Sequence, residues 1–499
     1  MRGASLMRRW WRVQLGCVLL IALLTVALVP PVMGETIDLY VDPATGQVFT
    51  QPGANRTKLG TFERVDKPAE APPPAPPAQQ AVPAPAEATP KIVAAEPSPK
   101  VVAAEPPPAD DPSVVATIGR VLKTKWYERF AVRGYTQFRY NALLHRDGDG
   151  AWFVPADRSV AKDNTFFLRR GRIVLSGDAS EHVFIYVQPE LNALPADGDF
   201  SLQMRDLYAD ISIDKKKEFR FRVGQSKVPF GWVNMQSSQN RLALERPDSI
   251  NSGIEGERDV GAFFYWAPEE IRARFRDIVK NGLKGEGDYG VVGFGIYGGQ
   301  GPNHLDSNDN VHWVARLAYP FLLPNGQIIE PGIQGYWGKF VIRTQSISVN
   351  GASFTPNAAH LGSTDRRVGF SAIVYPQPIG FEFEWNFGEG PELDGNQLAI
   401  HTKSLQGGYV ETSYKLDFDY GVFFPFVRWQ YYDGGRKFAR NAPHVDTNEW
   451  DFGVEWTPIP DIELAMDYSY TPFRVDSKDA TYSGFHDASR LGLQLQWNY

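Results

Sequence analysis

Hydrophobic and polar residues alternate in short runs along most of the chain, from Trp126 to Tyr499. Successive side chains of a β-strand point to opposite faces, so each run predicts a strand with one apolar and one polar face. Each run also has roughly the nine to eleven residues with which a tilted strand crosses a bilayer. We count sixteen such segments, at residues 130–141, 165–177, 182–192, 203–213, 218–228, 258–267, 289–298, 311–319, 332–341, 368–376, 379–387, 405–416, 421–432, 449–457, 461–471 and 489–499.

The connections between these segments alternate in length. Tight links lie at residues 177–181, 214–217, 376–378 and 457–460, and long polar links lie at residues 142–164, 228–257, 342–367, 388–404, 433–448 and 472–488. Short turns at one end of the strands and long loops at the other are typical of a membrane barrel. We therefore predict an all-β fold, a transmembrane antiparallel β-barrel of about 16 strands, over residues 126–499.

One link departs from this pattern. Residues 268–280 stand where a short turn is expected, but Ile271, Phe275 and Ile278 recur at helical spacing and Gly282 follows as a stop signal. We predict a small helix at this position.

A soluble β-sandwich is the alternative architecture for so many strands. The positions of the Trp and Tyr residues favour the membrane barrel, because aromatic girdles mark both membrane interfaces of such barrels. Aromatic residues of these two types cluster near segment ends, at Trp126, Tyr127, Tyr140, Tyr265, Trp266, Trp429, Tyr431, Tyr432, Trp456, Trp497 and Tyr499.

The last segment has a strictly alternating pattern that ends on an aromatic residue. Its apolar face includes Leu495, Trp497 and Tyr499. The pattern resembles the C-terminal signal of bacterial outer-membrane barrels, whose last residue is usually Phe and which the barrel-assembly machinery recognises. We expect these three residues to act as the assembly signal.

Residues 1–34 have the features of a secretory signal peptide. An arginine-bearing start precedes an apolar run from Val13 to Val29, and Val32 and Gly34 precede the expected cleavage site. A membrane anchor is the alternative, but the run is shorter than the ~20 apolar residues of a spanning helix. Export, together with the predicted barrel, indicates the bacterial outer membrane as the location of the mature chain.

The part of the chain between signal and barrel divides into two segments. Residues 35–66 form a short preamble, in which residues 39–62 predict a hairpin around several turn signals. Residues 67–125 form a Pro/Ala-rich linker and a short lead-in, with an extended polyproline geometry as the expected conformation. We expect both segments in the periplasm, either as an inert spacer or, through residues 35–112, in contact with the cell wall.

Composition excludes several classes of partner and site. The single cysteine, Cys17, lies in the predicted signal peptide, so the mature chain has no thiol for a disulfide or a metal. Removing the signal takes four arginines from a formal net charge of −7 and leaves −11, which disfavours nucleic acid as a partner. Histidines lack the spacing of metal ligands and no nucleophile motif is present, so we expect no enzyme, cofactor or metal site.

Alternation also predicts which charged residues face the lumen, because a charge on the lipid face costs roughly 2–4 kcal/mol at mid-membrane. In the second segment it places Phe167, Ile173 and Leu175 outside. A basic wall is predicted from segments one, two and five: Arg133, Arg139, Arg170, Arg172, Arg220 and Arg222. An acidic wall is predicted from the late segments: Glu382, Glu384, Asp451, Glu455, Glu463 and Asp467. Opposite walls of opposite charge favour polar solutes in the pore.

The long link at residues 228–257 is the expected constriction. A loop of about 30 residues is long enough to fold into a sixteen-stranded pore, and this one carries Arg241, Glu245 and Arg246. A solvated outer loop is the alternative.

Several motifs resemble the phosphate-selective porin O/P family over roughly residues 126–499. They are FLRRGR at 167–172, RDLY at 205–208, VGQSKVPFG at 223–231, LER at 244–246 and RDVG at 258–261. The resemblance implies a sixteen-stranded, trimeric porin with an arginine ladder and an inward third loop. It also implies that Arg169 and Arg170 match the paired arginines at the family's anion site.

The resemblance is incomplete at the third loop. The lysines that the characterised phosphate channels carry there correspond to Asn234 and Gln239 in this chain. Regular alternation further places Arg169 on the opposite face from Arg170, at the rim or in a subunit interface. We therefore expect a porin for small polar solutes and ions, with a preference for anions, in contact with outer-membrane lipid. The alternatives are a phosphate or polyphosphate channel and a structural tether to the cell wall.

Overall fold

A computed structural model describes residues 36–41, 48–49, 57–63, 126–146, 159, 165–193, 200–349, 352–396, 398–476 and 484–499. The predicted signal peptide and the Pro/Ala-rich linker lie outside these residues. Within the preamble, Thr36–Val41 pairs antiparallel with both Val48–Phe49 and Thr57–Glu63. This three-stranded sheet has one strand more than the predicted hairpin.

Residues 130–498 contribute the strands of a closed antiparallel barrel of sixteen strands. Two of the strands are interrupted by a short irregular stretch. In each of them, the parts before and after the interruption pair with the same neighbouring strand. The strands are β1 Phe130–Arg146, β2 Thr165–Asp178, β3 Val183–Ala193, β4 Phe200–Ser212, β5 Phe219–Lys227, β6 Arg258–Trp266, β7 Val292–Tyr297, β8 His312–Ala318 with Phe321–Leu322, β9 Ile328–Phe340, β10 Ser363–Val374, β11 Ile379–Leu393, β12 Ile400–Tyr414 with Leu416–Phe418, β13 Gly421–Gly435, β14 His444–Ile459, β15 Ile462–Asp476 and β16 Gly484–Asn498. Each predicted segment corresponds to one of them, so the predicted fold is confirmed.

The barrel closes where β16 pairs with β1. The pairing runs from Ala488 opposite Arg146 to Asn498 opposite Tyr135. Beyond it, Gly134 and Tyr499 exchange two backbone hydrogen bonds of 2.6 and 3.0 Å. Closure leaves no strand edge unpaired in the lipid, where a free backbone group would have no partner.

Alternation of burial along the strands separates a lipid-facing surface from the lumen. Large apolar side chains such as Val132, Phe166 and Leu202 are exposed on the outside. Polar and charged residues of the same strands are buried inside. Tyr265 and Tyr432 also point inward and are fully buried, so the prediction that they belong to an interfacial girdle is wrong.

A β-bulge in β2 reverses the predicted facing of Arg169 and Phe167. Gln137 of β1 lies opposite Arg170, but the next residue, Phe138, lies opposite Leu168, so Arg169 is the extra residue of the bulge. Arg169 and Arg170 therefore both point inward, and the prediction that Arg169 lies at the rim or in a subunit interface is wrong. The same shift turns Phe167 inward, where it is buried, contrary to its predicted outward position.

Three α-helices lie in the described parts of the barrel connections: α1 Trp232–Met235 and α2 Asp248–Asn251 in the β5–β6 loop, and α3 Glu269–Lys280 between β6 and β7. Helix α3 buries Ile271, Phe275 and Ile278, so the predicted helix is confirmed. In the part of the chain that the structure describes, no helix is long and apolar enough to cross a membrane.

Candidate pore constriction

The loop between β5 and β6, residues 228–257, folds into the barrel, and we call it the constriction loop. The backbone N–H of Trp232 donates to Glu384 on β11 at 2.7 Å. The backbone N–H of Leu244 donates to Asp467 on β15 at 3.2 Å. A loop that starts at β5 and binds β11 and β15 has to cross the lumen, because these strands lie on the far side of the barrel.

The middle of the constriction loop is anchored on the basic wall through Glu245. Its carboxylate accepts hydrogen bonds from Arg139 at 2.5 Å and from Arg169 at 3.0 Å. Arg170, next to them, donates to Gln137 at 2.8 Å. Burial by itself would raise the pKa of Glu245, but Arg169 and Arg139 outweigh it and hold the pKa well below its ordinary value.

The end of the constriction loop carries a second carboxylate, Glu257, that faces four cations. Lys227 and Arg246 lie 3.5 Å from it, and Arg241 and Arg258 form shorter ion pairs with it. Burial raises the pKa of Glu257, and the surrounding cations, Arg241 foremost, lower it well below its ordinary value. Since one carboxylate cannot neutralise four cations, positive charge is in excess around this end of the loop.

The remaining basic-wall residues differ in their partners. Arg172 pairs with Glu190, Arg220 pairs with Asp288 at 2.6 Å, and Arg222 pairs with Asp210 at 2.7 Å. Arg133 is exposed, with its guanidinium 5.9 Å from the ring centre of Tyr186.

Sequence reasoning missed the carboxylates that pair with these arginines. Arg172 stands directly opposite Glu190 in the β2–β3 pairing, and Arg222 directly opposite Asp210 in the β4–β5 pairing. A tight turn fixes which residues of two neighbouring strands stand opposite each other. The short turns at residues 177–181 and 214–217 were therefore the sequence signal that could have predicted both ion pairs.

The predicted acidic-wall residues hold loops and cations. Asp451 pairs with Arg428 at 2.8 Å, and Glu455 pairs with Lys284 of the β6–β7 connection. Glu384 and Asp467 accept the loop N–H groups described above. Glu382 accepts a hydrogen bond from Tyr409 at 3.2 Å, and Glu463 one from Gln496 at 3.5 Å.

The two positions that correspond to the family's loop lysines differ in exposure. Asn234 is completely buried, donates to the carbonyl of Val228 at 3.1 Å and accepts from Arg246 at 2.7 Å. Gln239 lines a cavity of about 290 Å³ next to the constriction loop. Its lining from β1–β6 includes cationic and tyrosine side chains and the carboxylate of Asp206; the cationic and tyrosine members include Arg133, Arg172, Arg222, Arg258, Tyr186 and Tyr208.

The predicted assembly-signal residues lie at the seam of the barrel. Leu495 and Trp497 are half-buried, and Tyr499 is exposed while its hydroxyl donates to the carbonyl of Arg172 at 3.2 Å. Among the described residues, no group of three or more His, Cys, Asp or Glu side chains could hold a metal ion.

Comparison with solved structures finds bacterial outer-membrane proteins of low identity. OmpT of Vibrio cholerae is 9% identical over 74% of this chain and 97% of its own, with a TM-score of 0.45. The channel DcaP of Acinetobacter baumannii is 12% identical over the same shares, with a TM-score of 0.45. An anion-selective porin from Comamonas acidovorans is 10% identical over 74% of this chain and 99% of its own, with a TM-score of 0.42.

No curated protein matches the chain significantly. The sequence model of the family "Phosphate-selective porin O and P" matches residues 146–499, well over half of the chain. The chain therefore belongs to this family of outer-membrane porins, which are channels and not enzymes.

Proposed function

We propose that this outer-membrane porin prefers anions among the small ions and polar solutes that diffuse through it. The observation that supports the proposal is the charge of the constriction loop and its contacts. Six cations lie within ion-pair distance of two loop carboxylates, Glu245 and Glu257. Asp206 is a third carboxylate, which pairs with Arg258 at 2.8 Å, so six cations face three carboxylates and positive charge remains in excess at the constriction.

An excess of this kind attracts anions from both sides of a narrow pore. One unit charge about 8 Å from an ion in water contributes about 0.5 kcal/mol, which is roughly a twofold change in local concentration. Several uncompensated charges in a lumen with low-dielectric walls act together, and salt screens them. The acidic wall opposes this field less than its sequence suggests, because Asp451 and Glu455 are paired with cations.

The test is the zero-current potential of the purified protein in a planar bilayer under a KCl gradient. The proposal predicts a potential of the sign given by chloride permeating faster than potassium. A potential of the opposite sign, or none, would show that the loop cations do not control permeation.

A phosphate-selective channel is the second candidate, favoured by the inward position of both Arg169 and Arg170. The buried Asn234 opposes it, because this side chain supplies no charge where the family's phosphate channels have a lysine. We therefore expect weak phosphate binding, with a Kd above about 1 mM, equivalent to less than about 4 kcal/mol. Block of the chloride current by micromolar phosphate would instead favour the selective channel.

We propose a homotrimer in outer-membrane lipid, inserted by the barrel-assembly machinery through Leu495, Trp497 and Tyr499, after signal cleavage near Gly34. Native mass spectrometry of the mature protein measures both the oligomeric state and the new N-terminus. A monomer in mild detergent, or a mass that includes residues 1–34, contradicts the respective part.

For residues 35–112, which include the three-stranded sheet of the preamble, we propose a tether to the cell wall. Deleting these residues should reduce co-sedimentation of the porin with cell-wall sacculi and leave its conductance unchanged. Unchanged co-sedimentation would leave only the spacer role.

A further inference from the structure

The connection between β6 and β7, residues 267–291, enters the lumen from the end of the barrel opposite the long loops. Helix α3 occupies its first part, and the chain then turns inward at Gly282, whose φ of 65° is a left-handed conformation suited to glycine. Leu283, Lys284 and Glu286 are buried. We call residues 281–290 the lower loop.

The lower loop is bound to widely separated parts of the barrel wall. Lys284 pairs with Glu455 on β14, and its ammonium lies 4.8 Å from the ring centre of Phe424. Glu286 pairs with Arg316 on β8. Asp288 pairs with Arg220 on β5 at 2.6 Å. Strands β5, β8 and β14 surround the lumen, so a segment that binds all three spans it.

The lower loop also contacts the constriction loop. Gln236 of the constriction loop donates through its side-chain amide to the carbonyl of Lys284 at 2.6 Å. Asn240 donates in the same way to the carbonyl of Gly285 at 3.3 Å. The two loops therefore meet inside the barrel and restrict the same section of it.

The cavity below the constriction loop lies to one side of this junction. Glu286, Gly287, Asp288 and Tyr289 of the lower loop form part of its lining, and the rest belongs to β1–β6, the constriction loop and Val279 of α3. Lys284 instead reaches the acidic side, at Glu455. The lower loop thus separates the acidic strands from the cavity along the basic wall.

We infer that the lower loop is a second constriction, which closes the acidic side of the lumen and directs solutes along the basic, tyrosine-lined side. Lys284 is a specificity-determining residue in this arrangement, because its ammonium neutralises Glu455 on the closed acidic side, whose charge would otherwise oppose anions in the open part of the lumen. This inference rests on the proposed function as a porin and extends it to a segment outside the constriction loop.

The direct test replaces Lys284 with methionine, which keeps much of the side-chain volume and removes the charge. Lys280→Met is the matched control, because Lys280 is exposed at the end of α3. In a KCl gradient, K284M should lower the chloride-to-potassium permeability ratio by about twofold or more, and K280M should match the wild type.

A second variant tests the steric part of the inference. Replacing residues 283–288 with a two-residue Gly-Ser link should raise the single-channel conductance by about twofold or more, since a wider lumen conducts more ions. Heat-modifiable migration on gels confirms that each variant forms a barrel.

The outcomes separate this inference from the proposed function. If the wild type conducts and both folded variants match it, the lower loop is not a constriction and only this inference fails. If the wild type forms no channel, the porin function fails and the inference falls with it. If the loop-shortened variant does not fold, the permeability ratio of K284M alone decides whether the inference holds. A ratio equal to that of K280M overturns the inference.

Discussion

At the scale of single residues, one inserted residue in β2 adds a cation to the constriction. The bulge at Arg169 lets Arg169 point inward beside Arg170. Arg169 therefore joins Arg139 of β1 in binding Glu245. Strict alternation could not predict this position, because bulges have no simple sequence pattern. Alternation did place Arg170, Arg172, Arg220 and Arg222 on the buried side of their strands. The carboxylates that neutralise these arginines depend on strand register and on how the loops fold, and the alternation of polar and apolar residues carries no information on either.

Removing the charge of Arg169 should weaken anion preference without unfolding the loop. Arg139 still holds Glu245 in an Arg169→Gln variant, so the loop keeps an anchor while the constriction loses one positive charge. We expect the chloride-to-potassium permeability ratio to fall by about twofold, from one charge near the ion path. Arg366→Gln is the control, because Arg366 is exposed and pairs with the exposed Glu389. Equal ratios in R169Q and the wild type would exclude Arg169 from the permeation path.

The two loop carboxylates predict an acid-sensitive fold. The pKa of each is lower in the folded protein than its ordinary value of about 4.3. Folding therefore gains stability from Glu245 and Glu257 above pH ~4.3, and this contribution is lost as the pH falls below it. The midpoint of urea unfolding in detergent should drop between pH 6 and about pH 3.

Glu257→Gln tests the origin of that acid sensitivity. At neutral pH it leaves four cations without their carboxylate and should cost about 3–5 kcal/mol of unfolding free energy. Glu389→Gln, at an exposed pair, should cost less than about 1 kcal/mol. E257Q should also show a smaller change between the two pH values. The same pH dependence in E257Q and the wild type would assign the acid sensitivity to other groups.

At the scale of elements, the sixteen strands and helix α3 followed from sequence periodicity, because both patterns are local. The entry of the lower loop into the lumen did not follow from it. The helical pattern of α3 predicts only which of its own residues are buried. The partners of Lys284 and Glu286 lie 171 and 30 residues away along the chain, so a local pattern cannot predict them. The barrel seam was predicted only as a terminal pattern, whereas its closure depends on a close approach at Gly134.

Gly134 is the element-scale test of that closure. A methyl group on Gly134 would lie 2.3 Å from the carbonyl oxygen of Arg172 and 2.5 Å from the ring of Tyr499. We expect Gly134→Ala to destabilise the barrel by about 1–3 kcal/mol through overpacking. Gly171→Ala is the control, since its nearest neighbour would be 3.5 Å away. The folded fraction, measured by heat-modifiable migration after refolding, should fall for G134A only; equal fractions would mean that the seam adapts.

At the scale of the whole barrel, charge is separated between early and late strands, and two loops use that separation. The constriction loop lies between the two walls. Its Glu245 binds the arginines of the basic wall, and its backbone N–H groups bind Glu384 and Asp467 of the acidic wall. The lower loop brings Lys284 to the acidic side. The result is a lumen in which much of the acidic charge stabilises loops while cations remain in excess around Glu245 and Glu257. The resemblance to the family led us to expect a preference for anions, and the cations around Glu245 and Glu257 offer a physical basis for the proposed preference other than the loop lysines.

The most direct test of the proposed anion preference is the zero-current potential of the wild-type channel under a fixed KCl ratio, recorded at increasing total salt. The screening length falls from about 10 Å at 0.1 M to about 3 Å at 1 M, so a preference set by fixed lumen charges must weaken with salt. We predict chloride preference that is greatest at low salt and declines steadily toward 1 M. Potassium preference at low salt, or a chloride preference independent of salt, would contradict the conclusion that the constriction cations set selectivity.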